Sequence, residues 1–328
     1  MSLTQTILIA GPTAVGKSEI VLRLAGQLGG EIISVDSMQV YHGLDIGTAK
    51  PSPAERARVP HHLIDICDLT ESFDAAQFAR LAHRAVAEIQ SRGHVPILCG
   101  GTGLYFKAFL DGLGEAPSAD AKLRAELKTA PLENLLEELR ESDPVTFEKI
   151  DRKNPRRVIR AVEVIRLTGK SFSVQQSRWG ETTGEPQGQN ETSGSRGRSP
   201  HHLKVSPVTC HFYCFTRSSD DLRKRIDVRV DAMFARGLVD ETRELLKRGL
   251  EQNKTAMQAI GYRQVVEYLH GERSLTETIE LVKIRTRQFA KRQLTWFRAQ
   301  KNLTWIELKP DESLENPANV ICGPGRIA

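Results

Sequence analysis

The sequence predicts an α/β fold, a P-loop core in which a parallel sheet is flanked by helices, with a helical insertion domain. Three observations carry this expectation. Strand-like and helix-like segments alternate through the N-terminal third, the pattern that places crossover helices on the faces of a parallel sheet. Gly11-Pro12-Thr13-Ala14-Val15-Gly16-Lys17-Ser18 fits G-x-x-x-x-G-K-[ST] directly after an apolar run and directly before an amphipathic segment. From Pro117 to Gly169 the pattern turns helical.

The elements follow in order. Thr6–Ala10 (TILIA) reads as a strand, Ser18–Leu28 as a helix with apolar positions at Ile20, Val21, Leu24 and Leu28, and Glu31–Val35 (EIISV) as a second strand. Asp74–Arg92 is an Ala-rich helix closed by Gly93, and Val95–Cys99 (VPILC) is a third strand. Asn154-Pro155 starts a helix as N-cap followed by Pro at the first position, and Gly169 ends it. Between Gly180 and His202 no residue is apolar, so this stretch is expected to be a disordered loop. A strand resumes at Val208–Phe215, followed by helices over Asp220–Arg236, Val239–Arg248, Ala256–Leu269 and Leu275–Lys301. The expected division is a catalytic core of residues 1–114 and 206–328, with basic C-terminal helices, and an insertion of residues 115–205 ending in the polar loop.

Composition narrows the class. The chain has 328 residues, 39% hydrophobic and 27% charged, which excludes collagen-like, coiled-coil and wholly disordered readings. No apolar run approaches the ~18 residues of a membrane span, and the N-terminus lacks a basic region and a long enough apolar stretch for a signal peptide, so a cytoplasmic location is expected. The cysteines, Cys67, Cys99, Cys210, Cys214 and Cys322, are odd in number and scattered, which favours thiols over a disulfide framework. TCHFYCF around Cys210 and Cys214 lacks C-x2-C spacing and alternates like a strand, so buried strand cysteines are expected there in preference to a zinc site.

The net charge of +5 is unevenly placed: residues 1–114 carry 9 basic and 11 acidic side chains, and the remainder 37 and 30. Two basic tracts stand out. Arg152–Lys170 holds seven Lys or Arg, with Arg156 and Arg160 one turn apart. Leu281–Ile306 holds seven and no acid, with Lys283, Arg287 and Lys291 at four-residue spacing. Beside Gln288, Gln293, Trp296 and Phe297, this second face suits a phosphate backbone with unpaired bases better than plain solvation.

The chemistry starts at the P-loop, where backbone N–H groups, a helix N-terminus, Lys17 and the Ser18 hydroxyl suit a diphosphate or triphosphate with Mg²⁺. The strand VPILC runs into Gly100-Gly101-Thr102-Gly103 with no carboxylate at its end, where a nucleotide hydrolase would hold its metal. The carboxylate stands instead at Asp36, after EIISV. Ligands of open α/β sheets bind beyond the carboxyl ends of the strands, so Asp36, Thr102 and the P-loop should meet in one crevice. There a carboxylate could act as a general base, or merely as a turn residue. Phosphoryl transfer to an alcohol and alkyl transfer with diphosphate as leaving group both fit. A kinase of a small alcohol and a nucleotide-gated RNA-binding protein are the rival readings.

Seven motifs then converge. GPTAVGKS, SVDSMQVYHGLDIGTAKP at Ser34–Pro51, PHHLID at Pro60–Asp65, GGTGLY at Gly100–Tyr105, NPRRVIRAVEV at Asn154–Val164, QAIGYRQ at Gln258–Gln264 and AKRQLTWFR at Ala290–Arg298 resemble, in order, the tRNA dimethylallyltransferase family. The resemblance implies transfer of the dimethylallyl group of dimethylallyl diphosphate to N6 of the adenosine just 3′ of the anticodon. It implies that Gly11 to Ser18 hold the diphosphate, with Ser18 on Mg²⁺, that Asp36 is the base, and that Thr102 and Arg217 attend the diphosphate as catalytic residues. By the same resemblance the anticodon stem-loop is contacted by Asp36, Ser37, Met38, Gln39, Thr102 and Arg124, by Arg156, Arg157, Val158, Ile159 and Arg160, and by Gln258, Ala259, Ile260, Gly261, Tyr262 and Arg263. The expected partners are tRNA and dimethylallyl diphosphate, with no membrane, and the enzyme is expected to act as a monomer. The stretch Gly180–His202 is longer than the family's usual connection, and the C-x2-C zinc module of eukaryotic members is absent.

Overall fold

The structure, a computed structural model, describes residues 5–112, 117, 120–177, 210–310 and 321. The chain divides into two compact units, Met1–Phe109 with Leu203–Ala328, and Leu110–His202.

In the first unit the strands are β1 (Thr6–Ala10), β2 (Gly30–Val35), β3 (His61–His62), β4 (Val95–Gly100), β5 (Cys210–Thr216) and β6 (Thr304–Glu307). They form one sheet in the order β3-β2-β4-β1-β5-β6, and every pair is parallel. β1 and β2 are buried on both faces, as expected of strands covered by crossover helices. Those helices include α1 (Lys17–Leu28), α2 (Pro53–Arg58), α3 (Ala75–Ser91) and α4 (Gly103–Asp111). Asp74 caps α3 by accepting from Ala76 N and Gln77 N, with Gln77 completing a capping box. Apolar side chains from β1, α1, β5 and the later helices, among them Ile7, Ile20, Phe215, Ile226 and Val282, form one core cluster.

The second unit is helical: α5 (Ala121–Thr129), α6 (Leu132–Ser142), α7 (Pro144–Lys149), α8 (Pro155–Thr168) and α9 (Phe172–Ser177). Asn154 caps α8 and Gly169 ends it in the left-handed conformation, as the Asn-Pro…Gly signature requires. Leu127, Leu135, Leu139, Val158, Ala161 and Val162 make its core.

The first unit resumes with β5, α10 (Ser219–Ala235), α11 (Leu238–Lys247), α12 (Tyr262–Leu269), α13 (Leu275–Arg298) and β6. The helix expected over Ala256–Leu269 is divided. Ala256–Gln258 is a 3-10 turn and α12 starts only at Tyr262, because Gly261 has φ +103°, which no helix interior accepts. β3 and β6, at the two edges of the sheet, carry too few residues to show a period of two in the sequence. The polar stretch Gly180–His202 lies outside the described residues.

Candidate active site

Four adjacent strands deliver the candidate residues at their carboxyl ends. β1 leads into the P-loop, β2 into Asp36, β4 into Gly100-Gly101-Thr102 and β5 into Arg217. Because these strands are neighbours in the order β2-β4-β1-β5, residues far apart in sequence share one crevice. A cavity of about 150 Å³ opens there, walled by Thr13, Lys17, Ser18, Asp36, Gln39, Gly101, Arg229 and Gln293 among others.

The start of α1 leaves its backbone donors without a side-chain cap. Gly16, at the N-cap of α1, has φ +105° and provides no side-chain cap, so the first-turn N–H groups of α1 are left for an anion. Lys17 Nζ donates to Gly11 O (2.9 Å) and Pro12 O (2.8 Å). Burial pulls the Lys17 ammonium down to about 8, with Arg229 adding to the effect and Asp36 opposing it. The thiols below remain protonated, since burial pushes Cys99 to about 11 and Cys214 to about 12.

Asp36 is both a turn residue and a wall of the cavity. Its Oδ1 accepts from Met38 N (2.8 Å) and Gln39 N (3.3 Å), an Asx turn that orients the carboxylate. Gln39 uses its amide on the protein: Ser34 Oγ donates to its Oε1 (2.8 Å), and its Nε2 donates to Thr48 O (3.2 Å) and Ala49 O (3.4 Å). Ser37 and Met38 are half-buried beside Asp36. Thr102 lies one residue beyond the cavity wall, where its carbonyl accepts from Tyr105 N at the start of α4.

Two residues that the sequence reading did not place at the site hold it together. Gln293, on α13, accepts from Thr13 N (2.9 Å) and donates to Gly101 O (2.9 Å), joining the P-loop to the end of β4. Arg225, on α10, donates to Ala14 O (2.9 Å). Arg217 does the same one residue on, donating from Nε to Val15 O (2.8 Å) and from Nη1 to Asp221 (2.8 Å). Arg217 is thus buried as a support of the loop. A third residue, Arg229, was likewise missed. The signal for these arginines is their four-residue spacing, Arg217, Arg225 and Arg229 with Asp221 between the first two.

Several expected nucleic-acid contacts face inward. Val158 is fully buried in the helical unit, and Ile159 is partly buried against the same cluster. Arg160 donates to Glu163 (2.8 Å) and to Pro117 O (2.7 Å), and Arg124 donates to Glu163 (2.7 Å); the two guanidinium groups share the one buried carboxylate. Arg156 and Arg157 are exposed and line, with Arg160 and Lys149, a concavity of about 820 Å³ floored by Ile150 and Phe172.

In the run Gln258–Arg263, Ala259, Gly261 and Tyr262 are buried, Ile260 packs on the core and only Gln258 and Arg263 are exposed. Tyr262 props the loop that follows Asp36. Its hydroxyl accepts from Gly47 N (3.0 Å) and donates to Glu241, which itself accepts from Ile46 N (2.9 Å). A Cβ on Gly47 would stand 2.5 Å from the Tyr262 ring. The basic face of α13 is also corrected: Lys283 pairs with Asp231 (2.8 Å) and Glu280 (2.9 Å), and Arg287 with Asp227 (2.7 Å). The cations at this spacing meet acids of α10, which a one-dimensional charge count cannot register. Lys291 and Arg298 are exposed.

Known proteins give the same picture. The model of the IPP transferase family matches residues 39–300. The chain is 43% identical over 310 residues to tRNA dimethylallyltransferase of Geobacter sulfurreducens, covering 93% of both chains. It is 45% identical over 314 residues to the enzyme of that name from Halorhodospira halophila, covering 94% of this chain and 93% of the other. Among solved structures it resembles the tRNA isopentenylpyrophosphate transferase of Bacillus halodurans, with a TM-score of 0.68, 39% identity and coverage of 98% and 96%. It also resembles a eukaryotic dimethylallyltransferase acting on tRNA, with a TM-score of 0.77, 26% identity and coverage of 97% and 78%. Matched along most of its length in both sequence and fold, the chain belongs to the IPP transferase family.

Proposed function

We infer that this chain is a tRNA dimethylallyltransferase, which moves the dimethylallyl group of dimethylallyl diphosphate to N6 of the adenosine 3′ of the anticodon and releases diphosphate. The observation that carries this reading is the meeting of a P-loop and a turn-held carboxylate, Asp36, in one cavity. The allylic C–O bond breaks with its electron pair going to the diphosphate, the N6 lone pair forms the new N–C bond, and the N6 proton passes to Asp36. An exocyclic adenine amine is a poor nucleophile, so removal of its proton as the bond forms lowers the barrier. Lys17 and the N–H groups of the loop meet the charge growing on the leaving group, while Arg217, Arg225 and Gln293 fix the loop.

The donor set also suits magnesium. Ser18 and Asp36 both line the cavity, and Mg²⁺ commonly takes one or two protein ligands together with substrate phosphate oxygens. Ser18 would hold the ion against the diphosphate, where it supplies charge neutralisation.

The target base must leave the anticodon-loop stack to reach Asp36, as is usual for enzymes that modify a base. Of the expected RNA contacts, Arg156, Arg157, Gln258 and Arg263 offer exposed side chains, and Asp36 faces the base. Among the described residues no helix is long and apolar enough to cross a membrane. We take the enzyme to be a cytoplasmic monomer. Mass spectrometry of nucleosides from tRNA incubated with the protein and dimethylallyl diphosphate tests the reading: N6-(dimethylallyl)adenosine is expected, and its absence with every component folded would overturn it.

A further inference from the structure

The helical unit carries a concavity of its own, about 820 Å³, set among α7, the start of α8 and α9. Its volume lies within the roughly 300–1,000 Å³ of ordinary ligand pockets. Its walls are held in place by one buried carboxylate. Asp143 caps α7, accepting from Thr146 N (3.1 Å) and Thr146 Oγ1 (2.6 Å), and it also accepts from Ser173 N (2.7 Å) and Ser173 Oγ (2.7 Å) on α9. The helix that bears Phe172 is thereby pinned to the helix that ends at Lys149.

The lining is of two kinds. Ile150 and Phe172 form an apolar floor, and Val145 beside them is 51% exposed. The charged side chains are all cations, and among the described residues no acid lines the concavity. Arg160 is matched by Glu163 (2.8 Å), whereas Lys149 and Arg157 are exposed and have no ion pair among the described residues. Apolar surface left open inside a rim of one charge sign suits a ligand with a flat apolar body and anionic flanks. Base-paired RNA offers phosphates but keeps its bases stacked inside, so it would leave the floor bare. An unpaired nucleotide offers both. We propose that this concavity is a nucleotide site for the anticodon loop: the base of one unpaired nucleotide, other than the target adenosine, lies on Phe172 and Ile150, and its phosphates meet Lys149 and Arg157. The proposal rests on the transferase reading above and adds to it a pocket for a further base, within the helical unit.

Anticodon stem-loops with a single abasic nucleotide at each loop position in turn, bound to the full parent chain and to Phe172→Ala, test it by filter binding, with melting temperature as the control for folding. At one position other than the target, loss of the base should weaken binding to the parent by roughly 5- to 100-fold, the size of one base–aromatic stack. Phe172→Ala should weaken binding of the intact loop by a similar factor. The two changes together should cost little more than either alone, because each removes the same contact. Lys149→Gln with Arg157→Gln should lower the salt slope by somewhat under ~1 for each residue, and an unchanged slope would overturn the phosphate contacts. If Phe172→Ala does not fold, Phe172→Leu, which keeps an apolar side chain without a flat face, is read by the same criteria. A folded Phe172 variant that binds the intact loop at parental affinity would overturn the proposal and point to an acidic protein segment as the occupant. Losses that add at every loop position would overturn it as well. Parent protein that moves no allyl group to tRNA would instead overturn the transferase reading.

Discussion

Asp36 divides its carboxylate between two tasks. Oδ1 is committed to Met38 N and Gln39 N, and no bond to Oδ2 occurs among the described residues, leaving that oxygen for the proton of N6. Asparagine can keep the turn through its carbonyl but cannot take a proton. Asp36→Asn should therefore lower single-turnover transfer by ~10²–10⁴ while tRNA affinity stays within a few-fold, as read by rapid quench and filter binding. A near-parental rate would leave Asp36 with the turn alone. Lys17 gives a second residue-scale expectation. Its ammonium, pulled down to about 8 by burial, is charged below that pH and loses its proton above it, and an anion binds the charged form. Affinity for a diphosphate ester, which has shed its last proton by about pH 6–7, should be level between about pH 7 and 8 and weaken as pH rises further. The same titration of Lys17→Met should lack this inflection, and an identical profile in both proteins would remove Lys17 from the phosphate cradle.

At the scale of elements, the strands and helices that carry P-loop, Asp36 and α8 were legible because local chemistry and period agreed. TILIA and EIISV are apolar runs bounded by turns, and Asn154-Pro155…Gly169 specifies both ends of a helix. What escaped depends on partners brought together only by the fold. Gln293 reads as one polar residue in a basic helix until Thr13 and Gly101 meet it. Tyr262 and Val158 sit in motifs beside charged residues, yet burial turns the first toward Gly47 and the second into the helical core. The face of α13 illustrates the same point with charge, since Lys283 and Arg287 are matched by Asp231 and Asp227 of α10. A cation already paired releases few counterions on meeting RNA. Lys283→Gln with Arg287→Gln should therefore alter the salt slope of tRNA binding by well under ~1 for each residue, whereas Arg156→Gln with Arg157→Gln, on side chains exposed to solvent, should alter it more. Equal changes in the two double variants would restore the α13 face as an RNA surface.

On the scale of the whole molecule, one end of the sheet holds the chemistry and the other holds a structural anchor. Glu31, near the start of β2, is buried and bonded to Arg92 (2.8 Å), His62 (2.6 Å) and His94 (2.7 Å), which follow α3, lie on β3 and precede β4. Burial alone would raise the Glu31 carboxyl, but the hydrogen bonds from Arg92, His62 and His94 outweigh it and hold it at about 2. A carboxyl lowered in the folded state contributes stability above its unfolded value of 4.5 and loses it as pH falls toward 2. Urea unfolding of the parent and of Glu31→Gln should differ by on the order of 2–3 kcal/mol near neutrality, and the gap should shrink as pH drops below about 4.5. A gap independent of pH would mean that the carboxylate charge does not anchor this end of the sheet.

With that end pinned, the opposite ends of β2, β4, β1 and β5 bring the P-loop and Asp36 into one cavity, and alkyl transfer is the chemistry we propose for this pairing. The most direct test uses dimethylallyl diphosphate labelled with ¹⁴C in the allyl group and ³²P in the terminal phosphate, incubated with the protein and tRNA. The account predicts ¹⁴C in the RNA and ³²P released as diphosphate in equal amounts, with both lost in Asp36→Asn. Phosphorus label in RNA or in a metabolite, or neither label leaving the substrate, would contradict it.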